Sequence, residues 1–320
     1  MPVKLIRIEK KGPALKRTQF GCLSDVHTLN VTRGCEFRCS YCYARGYSHS
    51  PAEGLVLLYS NLPGKIRSEL DSPRRRTPVQ HVAFNTASDS FQRHPDILKV
   101  TYDSMKQILD HGIRMSFLTK GWIPDRFIEL FSSFPALVTA GIGLVSISPH
   151  YRQIFEPGAA TAQERLANIE RLRSAGIKPH VRIDPIIPFY TDDERGIRAL
   201  FHELAKRGVE QVVLSYLHLR PAILKQLKRE LPSTTYRLLA GCYKTQDVIE
   251  VGTSTKTKLC PLILRQKGYD RFKRLAKDYG ITCLICACKN PDMAGQRCLR
   301  PSPADNKIPG GPEQLSLFPC

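Results

Sequence analysis

The sequence lacks any continuous run of about 18 apolar residues, the length that a membrane-spanning helix requires. Its first residues, MPVKLIRIEKKGPALKRTQ, also lack the uninterrupted apolar core of a secretory signal. Acidic residues are scarce, with 29 Asp and Glu against 48 Lys and Arg, which gives a formal charge of +19. These absences predict a cytoplasmic protein without a membrane segment, and the positive charge predicts a polyanionic partner such as nucleic acid.

Cysteine, by contrast, is plentiful, because the 320 residues contain 11. Disulfides are rare in the cytosol, where clustered thiols more often bind metal or do redox chemistry. Three thiols, Cys35, Cys39 and Cys42, fall within the segment TRGCEFRCSYCYAR at residues 32–45. Structural zinc normally takes four ligands, so this spacing leaves a zinc site one ligand short. An iron–sulfur cluster held by three cysteines would keep one iron open for a small molecule.

The order of the predicted elements favours an α/β fold, because short β-branched runs alternate with amphipathic helical patterns. A helix is predicted over 161–175, where Thr161 and Glu164 form a capping box, and another over 193–207. Consecutive β–α units predict a parallel sheet wound as a partial (β/α)6 TIM-like barrel, with functional residues at the C-terminal ends of the strands. The predicted strands are 27–33, 80–86, 113–119, 139–148, 178–186 and 210–217.

The composition divides the chain into four expected regions. A basic N-terminal segment covers 1–24, and the partial barrel covers 25–225. A basic, cysteine-rich C-terminal region follows at 226–300. Residues 301–320, which are rich in proline and glycine, are expected to form a flexible tail.

The cysteine motif, placed after the first strand of a β–α array, resembles that of the radical S-adenosylmethionine (radical SAM) superfamily. The resemblance implies that Cys35, Cys39 and Cys42 bind a [4Fe–4S] cluster whose open iron chelates S-adenosylmethionine. One electron, from a donor such as flavodoxin or ferredoxin, then releases a 5′-deoxyadenosyl radical. The chain is therefore expected to be a radical SAM enzyme, with zinc binding as the alternative for these thiols.

Over roughly residues 25–220 the chain is similar to spore photoproduct lyase and the DNA-repair-photolyase-like radical SAM proteins. This resemblance implies a lyase-like enzyme that repairs or modifies DNA, with the damaged base flipped into the barrel mouth. The segments that carry it are GCEFRCSYCY at 34–43, TASDSFQ at 86–92, TKG at 119–121, EPGAATAQERLANIERLRSAGI at 156–177 and DPIIP at 184–188.

The same resemblance implies contacts to S-adenosylmethionine from residues that follow the strands. Each of these residues also has a purely structural alternative role. Ser88 is suited to cap a helix, Lys120 to be a solvated charge, and Ser146 and Ser148 to hydrogen-bond to nearby backbone. The implied contacts are Tyr43 to the adenosyl group, Ser88 and Asp89 to the methionine amino group, Lys120 to its carboxylate, and Ser146 and Ser148 to the ribose hydroxyls.

Thr86 departs from the pattern of the lyase group. In that group a hydrogen-donating cysteine stands two residues before the Ser of the Ser-Asp pair, a position that Thr86 occupies here. A hydroxyl O–H bond is too strong to quench a carbon radical as a thiol does. Another group must therefore return the hydrogen, or the reaction differs from thymine-dimer reversal.

A second group of thiols lies in the C-terminal region. Four of its members would suffice for an auxiliary iron–sulfur cluster, while a zinc ribbon and free core cysteines are the alternatives. Cys22, Cys242 and Cys320 are expected to have no role. The group consists of Cys260, Cys283, Cys286, Cys288 and Cys298.

The tail contains a pentapeptide, QLSLF, that resembles the binding motif for the bacterial sliding clamp. The resemblance implies that Leu315, Leu317 and Phe318 fill apolar pockets of the clamp while Gln314 hydrogen-bonds at their rim. Because clamp partners act on DNA, the motif favours DNA as the substrate.

Two rival functions remain open from the sequence alone. A radical SAM enzyme that modifies RNA or tRNA fits the charge equally well. A non-catalytic iron–sulfur protein that binds DNA beside the clamp would explain the thiols and the tail without chemistry.

Overall fold

The computed structural model describes residues 3–18, 23–24, 26–74, 77–251 and 255–293. Several predicted functional residues lie outside them, namely Cys298, Gln314, Leu315, Leu317 and Phe318. The strands are β1 (Lys4–Ile8), β2 (Lys16–Arg17), β3 (His27–Leu29), β4 (Thr32–Arg33), β5 (Leu55–Tyr59), β6 (His81–Phe84), β7 (Arg114–Thr119), β8 (Val138–Gly143), β9 (His180–Ile186), β10 (Gln211–Tyr216), β11 (Ile249–Val251), β12 (Thr255–Thr257) and β13 (Thr282–Ile285). The α-helices are α1 (Leu62–Leu70), α2 (Pro95–Asp110), α3 (Asp125–Ser132), α4 (Pro149–Phe155), α5 (Ala162–Ser174), α6 (Glu194–Lys206), α7 (Pro221–Glu230), α8 (Ser233–Cys242) and α9 (Leu262–Lys277).

The main sheet has the strand order β13-β10-β9-β8-β7-β6-β3-β2. Its described strands pair in parallel, except that β2 pairs antiparallel with β3. The six strands predicted from the sequence form the centre of this sheet, which confirms the α/β class and the partial barrel. Within the described residues the sheet does not close, because β13 and β2 form its two edges.

Two predicted strands end earlier in the structure, and one strand is additional. The first predicted strand stops at Leu29, and β4 then pairs with β5 in a separate sheet of order β1-β5-β4. The fourth stops at Gly143, because Ser148 already caps α4. An additional strand, β13, comes from the predicted C-terminal region and extends the main sheet beside β10.

The two faces of β9 show how the sheet divides core from interior. Val181 and Ile183 are fully buried and belong to the apolar core under the helices. The alternate residues, His180, Arg182 and Asp184, are half-buried and polar. Since side chains alternate across a strand, these polar residues share the inner face of the sheet. The barrel interior is therefore charged on this side.

The helices begin where their sequences predict. Thr161 caps α5 in a reciprocal capping box with Glu164, and the Asp193 side chain caps α6 by accepting the Gly196 N–H at 2.8 Å. None of the helices in the described residues combines the length and the apolarity that a membrane span requires. Short caps of this kind fix where each helix turns back onto the sheet, and so fix the loops at the strand ends.

Candidate active site

The three-cysteine segment follows β3 and β4 and lies at the C-terminal edge of the sheet. Gly34 opens it with a φ of +81°, a conformation that favours glycine. A Cβ on Gly34 would also lie 2.7 Å from the Leu55 carbonyl oxygen. Glycine is therefore required at the point where the chain turns from β4 into the segment that carries Cys35.

Backbone hydrogen bonds attach this cysteine segment to the loop after α4. The Ser40 N–H donates to the Phe155 carbonyl at 3.0 Å, and the Gly158 N–H donates to the Phe37 carbonyl at 3.0 Å. Phe37 itself is buried. The chain around the EPG sequence at 156–158 thus holds the cysteine segment in place by backbone hydrogen bonds.

Helix α7 attaches the same segment from the other side. The Gln226 side chain donates to the Cys42 carbonyl at 3.1 Å, and the Arg45 guanidinium donates to the Cys39 carbonyl at 3.2 Å. Arg45 is in turn paired with Glu230, with contacts of 2.9 and 2.5 Å. The cysteine segment is therefore fixed by elements that follow β8 and β10, which are distant in sequence.

The thiols of Cys35, Cys39 and Cys42 lie close enough to affect one another electrostatically. Burial raises the pKa of the Cys35 thiol well above its usual value, and Asp89, Cys39 and Cys42 add to the effect. Burial, Glu156 and Cys42 raise the pKa of Cys39 to about 12, against the opposing effect of Lys120. Buried thiols of this kind become stable thiolates only with a positive partner, which a metal centre supplies.

The spacing of the thiols bears on the choice between zinc and a cluster. Among the described residues, no three or more His, Cys, Asp or Glu side chains converge on one position suited to a single metal ion. In a [4Fe–4S] cluster, each cysteine binds a different iron, so the sulfurs stand further apart than the ligands of one zinc ion. Three cysteines alone are one ligand short of structural zinc, whereas a cluster held by three cysteines keeps one iron open for a ligand.

A buried ion pair lies beneath the cysteine segment. Glu156 and Arg165 are both almost fully buried, and the Arg165 guanidinium approaches the Glu156 carboxylate to 2.5 Å. The hydroxyl of Tyr41, the residue before Cys42, donates to the same carboxylate, and Tyr151 donates to it at 3.2 Å. Glu156 lies in one of the sequence motifs, but its role could not be predicted from the sequence. Its partner Arg165 comes close only through the turn between α4 and α5.

Asp89 joins the loops that follow β6 and β7. Its carboxylate accepts the Thr119 hydroxyl at 2.7 Å and the backbone N–H groups of Phe91 and Lys120 at 2.9 Å each. Burial raises the pKa of Asp89, although these hydrogen bonds act in the opposite direction. These donors leave an acceptor position on the Asp89 carboxylate, so the contact between Asp89 and S-adenosylmethionine stays a prediction.

Ser88 differs from Asp89, because its hydroxyl oxygen is buried and has no hydrogen-bond partner in the described part of the chain. Buried polar groups are normally paired, so this hydroxyl has capacity for a bound molecule. The predicted contact between Ser88 and S-adenosylmethionine therefore has a structural basis, although it stays a prediction.

Lys120 follows β7 and projects across the inner face of the sheet. Its Nζ lies 5.8 Å from the centroid of the Tyr41 ring. It also lies close to Gly143 at the end of β8, since a Cβ built there would be 3.3 Å from the Nζ. Its positive charge acts to lower the pKa of both Cys39 and Glu156. Lys120 is thus beside the thiols, where it can bind an anionic group of a ligand held there.

Ser146 and Ser148 are engaged in local structure. The Ser146 hydroxyl accepts the Ser148 N–H at 3.1 Å, and the Ser148 hydroxyl accepts the Tyr151 N–H at 3.4 Å as the N-cap of α4. Both hydroxyls still have a proton to donate, so ribose binding stays a prediction.

Tyr43 bridges the cysteine segment and the loop after β6. Its hydroxyl donates to the Thr86 carbonyl, and the Arg220 guanidinium carbon lies 4.9 Å from the centroid of its ring. Burial raises the pKa of the Tyr43 hydroxyl, with Tyr47 adding to the effect. Thr86, which stands where the lyase group has a cysteine, is therefore next to the tyrosine that follows the last cluster cysteine.

The second thiol group is divided in the structure. Cys286 and Cys288 approach each other to 3.1 Å between their sulfur atoms. Cys260 is buried and shares a hydrogen bond with Cys242, which together with burial raises the pKa of Cys260. Cys283 lies on β13 in the apolar core, where the positive charge of Lys273 on α9 acts on the pKa of its thiol. The sequence prediction gave Cys242 no role, because a pairing across α8 and the loop before α9 has no local signature.

Comparisons with known proteins agree with this site. The family model described as Radical SAM superfamily matches residues 29–201, which include the three cysteines, Ser88 and Lys120. An uncharacterised protein of Mycobacterium tuberculosis is 30% identical over 203 residues, which cover 61% of this chain and 59% of that protein. A protein of Pseudomonas phage M6, named radical SAM Nα-GlyT isomerase, is 23% identical over 273 residues, which cover 83% of this chain and 54% of the phage protein.

Solved structures show the same fold. Spore photoproduct lyase complexed with dinucleoside spore photoproduct superposes with a TM-score of 0.66 at 16% identity, over 88% of this chain and 81% of the lyase chain. A mutant of that lyase with bound AdoMet and the same dinucleoside gives the same TM-score. At this identity the likeness establishes the fold alone. The chain spans 59% of the length of the mycobacterial relatives that it matches.

Proposed function

We propose a reaction for this chain, which belongs to the radical SAM superfamily: it repairs or modifies DNA with a 5′-deoxyadenosyl radical. When bound by Cys35, Cys39 and Cys42, a [4Fe–4S] cluster supplies the electron that cleaves S-adenosylmethionine. The residues of the chain bind and orient the reactants around that centre. The observation that carries the proposal is the set of neighbouring, half-buried thiols beside Lys120, together with a Ser88 hydroxyl that has no hydrogen-bond partner among the described residues.

The positions of the side chains support a binding role for each. Lys120 is the cation for the methionine carboxylate, and the Ser88 hydroxyl has free capacity for the methionine amino group. Asp89 holds the Lys120 backbone in place. The Glu156–Arg165 pair and Tyr41 hold the cysteine segment against the sheet. Catalysis would thus depend on positioning that the chain provides before any substrate binds.

DNA is the proposed substrate for three reasons. The formal charge of +19 suits a polyanion. The solved structures with this fold include a lyase with a dinucleoside spore photoproduct. The tail contains the pentapeptide that resembles a clamp-binding motif. The lesion is left open, because Thr86 replaces the cysteine expected in the lyase group.

The decisive experiment is anaerobic incubation of the reduced, iron-reconstituted protein with S-adenosylmethionine and irradiated DNA. Mass spectrometry would measure the DNA nucleosides and 5′-deoxyadenosine. We expect a change in a DNA nucleoside that depends on S-adenosylmethionine, and no cleavage of S-adenosylmethionine by Cys35→Ala, Cys39→Ala or Cys42→Ala. Full turnover in any of these variants would refute the cluster assignment.

A parallel incubation with tRNA separates the enzyme classes. If tRNA nucleosides change and DNA nucleosides do not, the RNA-modifying alternative replaces the DNA proposal. If S-adenosylmethionine is not cleaved with either nucleic acid, the non-catalytic alternative replaces both.

The tail motif gives a second, separable proposal, namely that Gln314–Phe318 binds a bacterial sliding clamp. A short segment that orders on binding should have an affinity on the order of micromolar. Titration of a labelled 305–320 peptide against the clamp measures it directly. In the full chain, Leu317→Ala combined with Phe318→Ala should abolish clamp binding, whereas binding equal to wild type would refute the motif.

A further inference from the structure

Arg220 is a half-buried arginine at the barrel mouth, and none of the described acidic residues pairs with it. It follows β10, and its guanidinium stacks on the Tyr43 ring at 4.9 Å. In the described part of the chain, this guanidinium makes no hydrogen bond and no ion pair. A half-buried cation that is left unpaired is unfavourable unless a ligand completes its contacts.

Asp184, an acidic group of the same region, is already engaged. Asp184 lies at the end of β9, and its Oδ2 is 2.6 Å from the Lys289 Nζ and 3.0 Å from the Arg182 guanidinium. The Arg182 and Asp184 side chains are only 13% and 10% exposed. Asp184 is therefore neutralised by two cations of its own, and Arg220 is left as an additional positive charge.

His218 places these groups in one cluster and contributes no charge to it. The charges of Lys289, Asp184 and Arg220 act on the pKa of its ring. Its Nε2 donates to the Lys289 carbonyl at 2.8 Å. Burial, with Lys289 adding to it, lowers the pKa of His218 to about 4, so the ring is neutral at pH 7. Asp292, which also lies near His218, is paired with Arg265. The remaining groups are the cations Arg182, Lys289 and Arg220 and the carboxylate of Asp184, a surplus of two positive charges.

The surface beside Arg220 is aromatic. Tyr43 and Tyr47 are 39% and 37% exposed, and their ring centroids are 5.8 Å apart in an edge-to-face arrangement. Tyr47 also stacks on His49 at 5.4 Å. Exposed rings next to an unpaired guanidinium match a single-stranded nucleotide, whose base stacks while its phosphate is bound.

We propose that Arg220 binds a phosphodiester next to the nucleotide that enters the barrel mouth. The inference rests on the proposed function and specifies how the substrate is recognised. A guanidinium provides two parallel N–H donors to a phosphate, and its aromatic contact with Tyr43 holds the plane in place. Arg220 is thus a substrate-binding residue on the side of the mouth formed by β9, β10 and β13.

The carboxylate of S-adenosylmethionine is the other anion that could occupy this position. The cation proposed for that group is Lys120, which follows β7, whereas Arg220 follows β10, three strands further along the sheet. Arg220 instead belongs to the cluster of Asp184 and Lys289. The separation favours the substrate phosphate, and the experiment must distinguish the two anions.

The test measures binding of single-stranded oligothymidylates to the full-length, iron-reconstituted protein over a range of salt concentrations. Arg220→Ala should weaken binding about tenfold and reduce the salt dependence by about one phosphate contact. Arg220→Lys should lose part of this affinity, because it keeps the charge but not the paired donors. Arg198→Ala is the matched control, since Arg198 is an exposed arginine paired with Asp278 on the outer helix α6.

Probes with one neutral methylphosphonate, moved stepwise along the oligonucleotide, identify the contact. One position should weaken binding to wild type as much as Arg220→Ala does, and should have no further effect in that variant. Equal losses in both proteins at every position would overturn the inference. Thermal melting verifies that each variant is folded, and Arg220→Gln replaces the alanine variant if that one is not.

Two further results have distinct meanings. If Arg220→Ala weakens S-adenosylmethionine in equilibrium dialysis but leaves oligonucleotide affinity unchanged, the bound anion is the methionine carboxylate and the inference is wrong. If wild type binds no oligonucleotide at all, the proposed function fails, and the inference fails with it.

Discussion

Arg165 and Glu156 form an ion pair directly beneath the cysteine segment, with 2.5 Å between the charged groups and almost no exposure of either side chain. Arg165 also donates to the carbonyls of Gly143 and Ala160 at 2.9 Å each. The pair thus connects the end of β8 to the start of α5, and Tyr41 connects it to the cysteines. It is a structural support for the proposed cluster site.

Glu156→Gln should lower the free energy of unfolding by about 3 kcal/mol or more, because it leaves the Arg165 charge buried without its partner. Urea unfolding at pH 7 measures the change. The matched control is Glu194→Gln, which breaks the exposed pair with Arg274 and should change stability by no more than about 1 kcal/mol. A Glu156→Gln protein as stable as the control would show that the pair has no supporting role.

The same pair should be sensitive to acid. Burial alone would raise the pKa of Glu156, but Arg165, Lys120 and the Tyr41 hydrogen bond outweigh it and lower the pKa. A carboxyl group with a lowered folded-state pKa stabilises the protein above its unfolded pKa and loses this effect as the pH falls. The difference between wild type and Glu156→Gln should therefore shrink as the pH falls below about 4.

Lys120→Met should weaken the binding of S-adenosylmethionine about tenfold or more, because it removes the cation proposed for the methionine carboxylate. Gly143→Ala should have a smaller effect of the same sign, since the new Cβ would lie 3.1 Å from the Lys120 Cγ and displace the side chain. Anaerobic equilibrium dialysis measures both. Lys178→Met, at an exposed pair with Glu210, is the control, and an affinity of Lys120→Met equal to it would remove Lys120 from the site.

His180, the first residue of β9, should also make the free energy of unfolding depend on pH. Burial, with Arg182 adding to it, lowers the pKa of His180 to about 4. The unfolded chain then binds the proton more readily, so stability falls as the pH drops from about 6.5 towards 4. Between pH 7 and 5, His180 alone should account for a loss of about 2 kcal/mol, which His180→Gln should abolish.

Urea unfolding of the iron-free protein at the two pH values tests this. His111 provides a contrast of opposite sign, because its hydrogen bond to Asp71 raises its pKa and stabilises the folded state only at lower pH. An unchanged pH dependence in His180→Gln would mean that the folded and unfolded chains bind the proton of this ring equally well.

The sequence was sufficient where the information is local. The capping box of Thr161 and Glu164 predicted α5, and the position of Lys120 after a predicted strand placed it at the mouth. The end of β8 was placed too late, because the apolar run up to Ser148 continues past Gly143 into the loop before α4. The local sequence pattern therefore predicted which helices and strands form better than it predicted the residues at which they end.

Contacts between distant segments could not be predicted in this way. The stacking of Arg220 on Tyr43 joins residues far apart in the chain, as does the bond between Gln226 and the Cys42 carbonyl. The pairing of β13 with β10 depends on the whole chain having folded back. Each of these contacts is chosen by the packed sheet, so a single sequence contains no periodic signal for it.

The second thiol group leads to the last prediction, which concerns metal content. If it binds an auxiliary [4Fe–4S] cluster, the reconstituted protein should contain about eight irons per chain, and the triple alanine variant of Cys35, Cys39 and Cys42 about four. In that triple variant, adding Cys286→Ala or Cys288→Ala should remove the remaining iron, because these two sulfurs lie together. Adding Cys283→Ala should retain it, because Cys283 lies in the core beside α9. Iron and zinc are measured by inductively coupled plasma mass spectrometry. Zinc without iron in the triple variant would assign the group to a zinc site, and neither metal would leave these thiols as core cysteines.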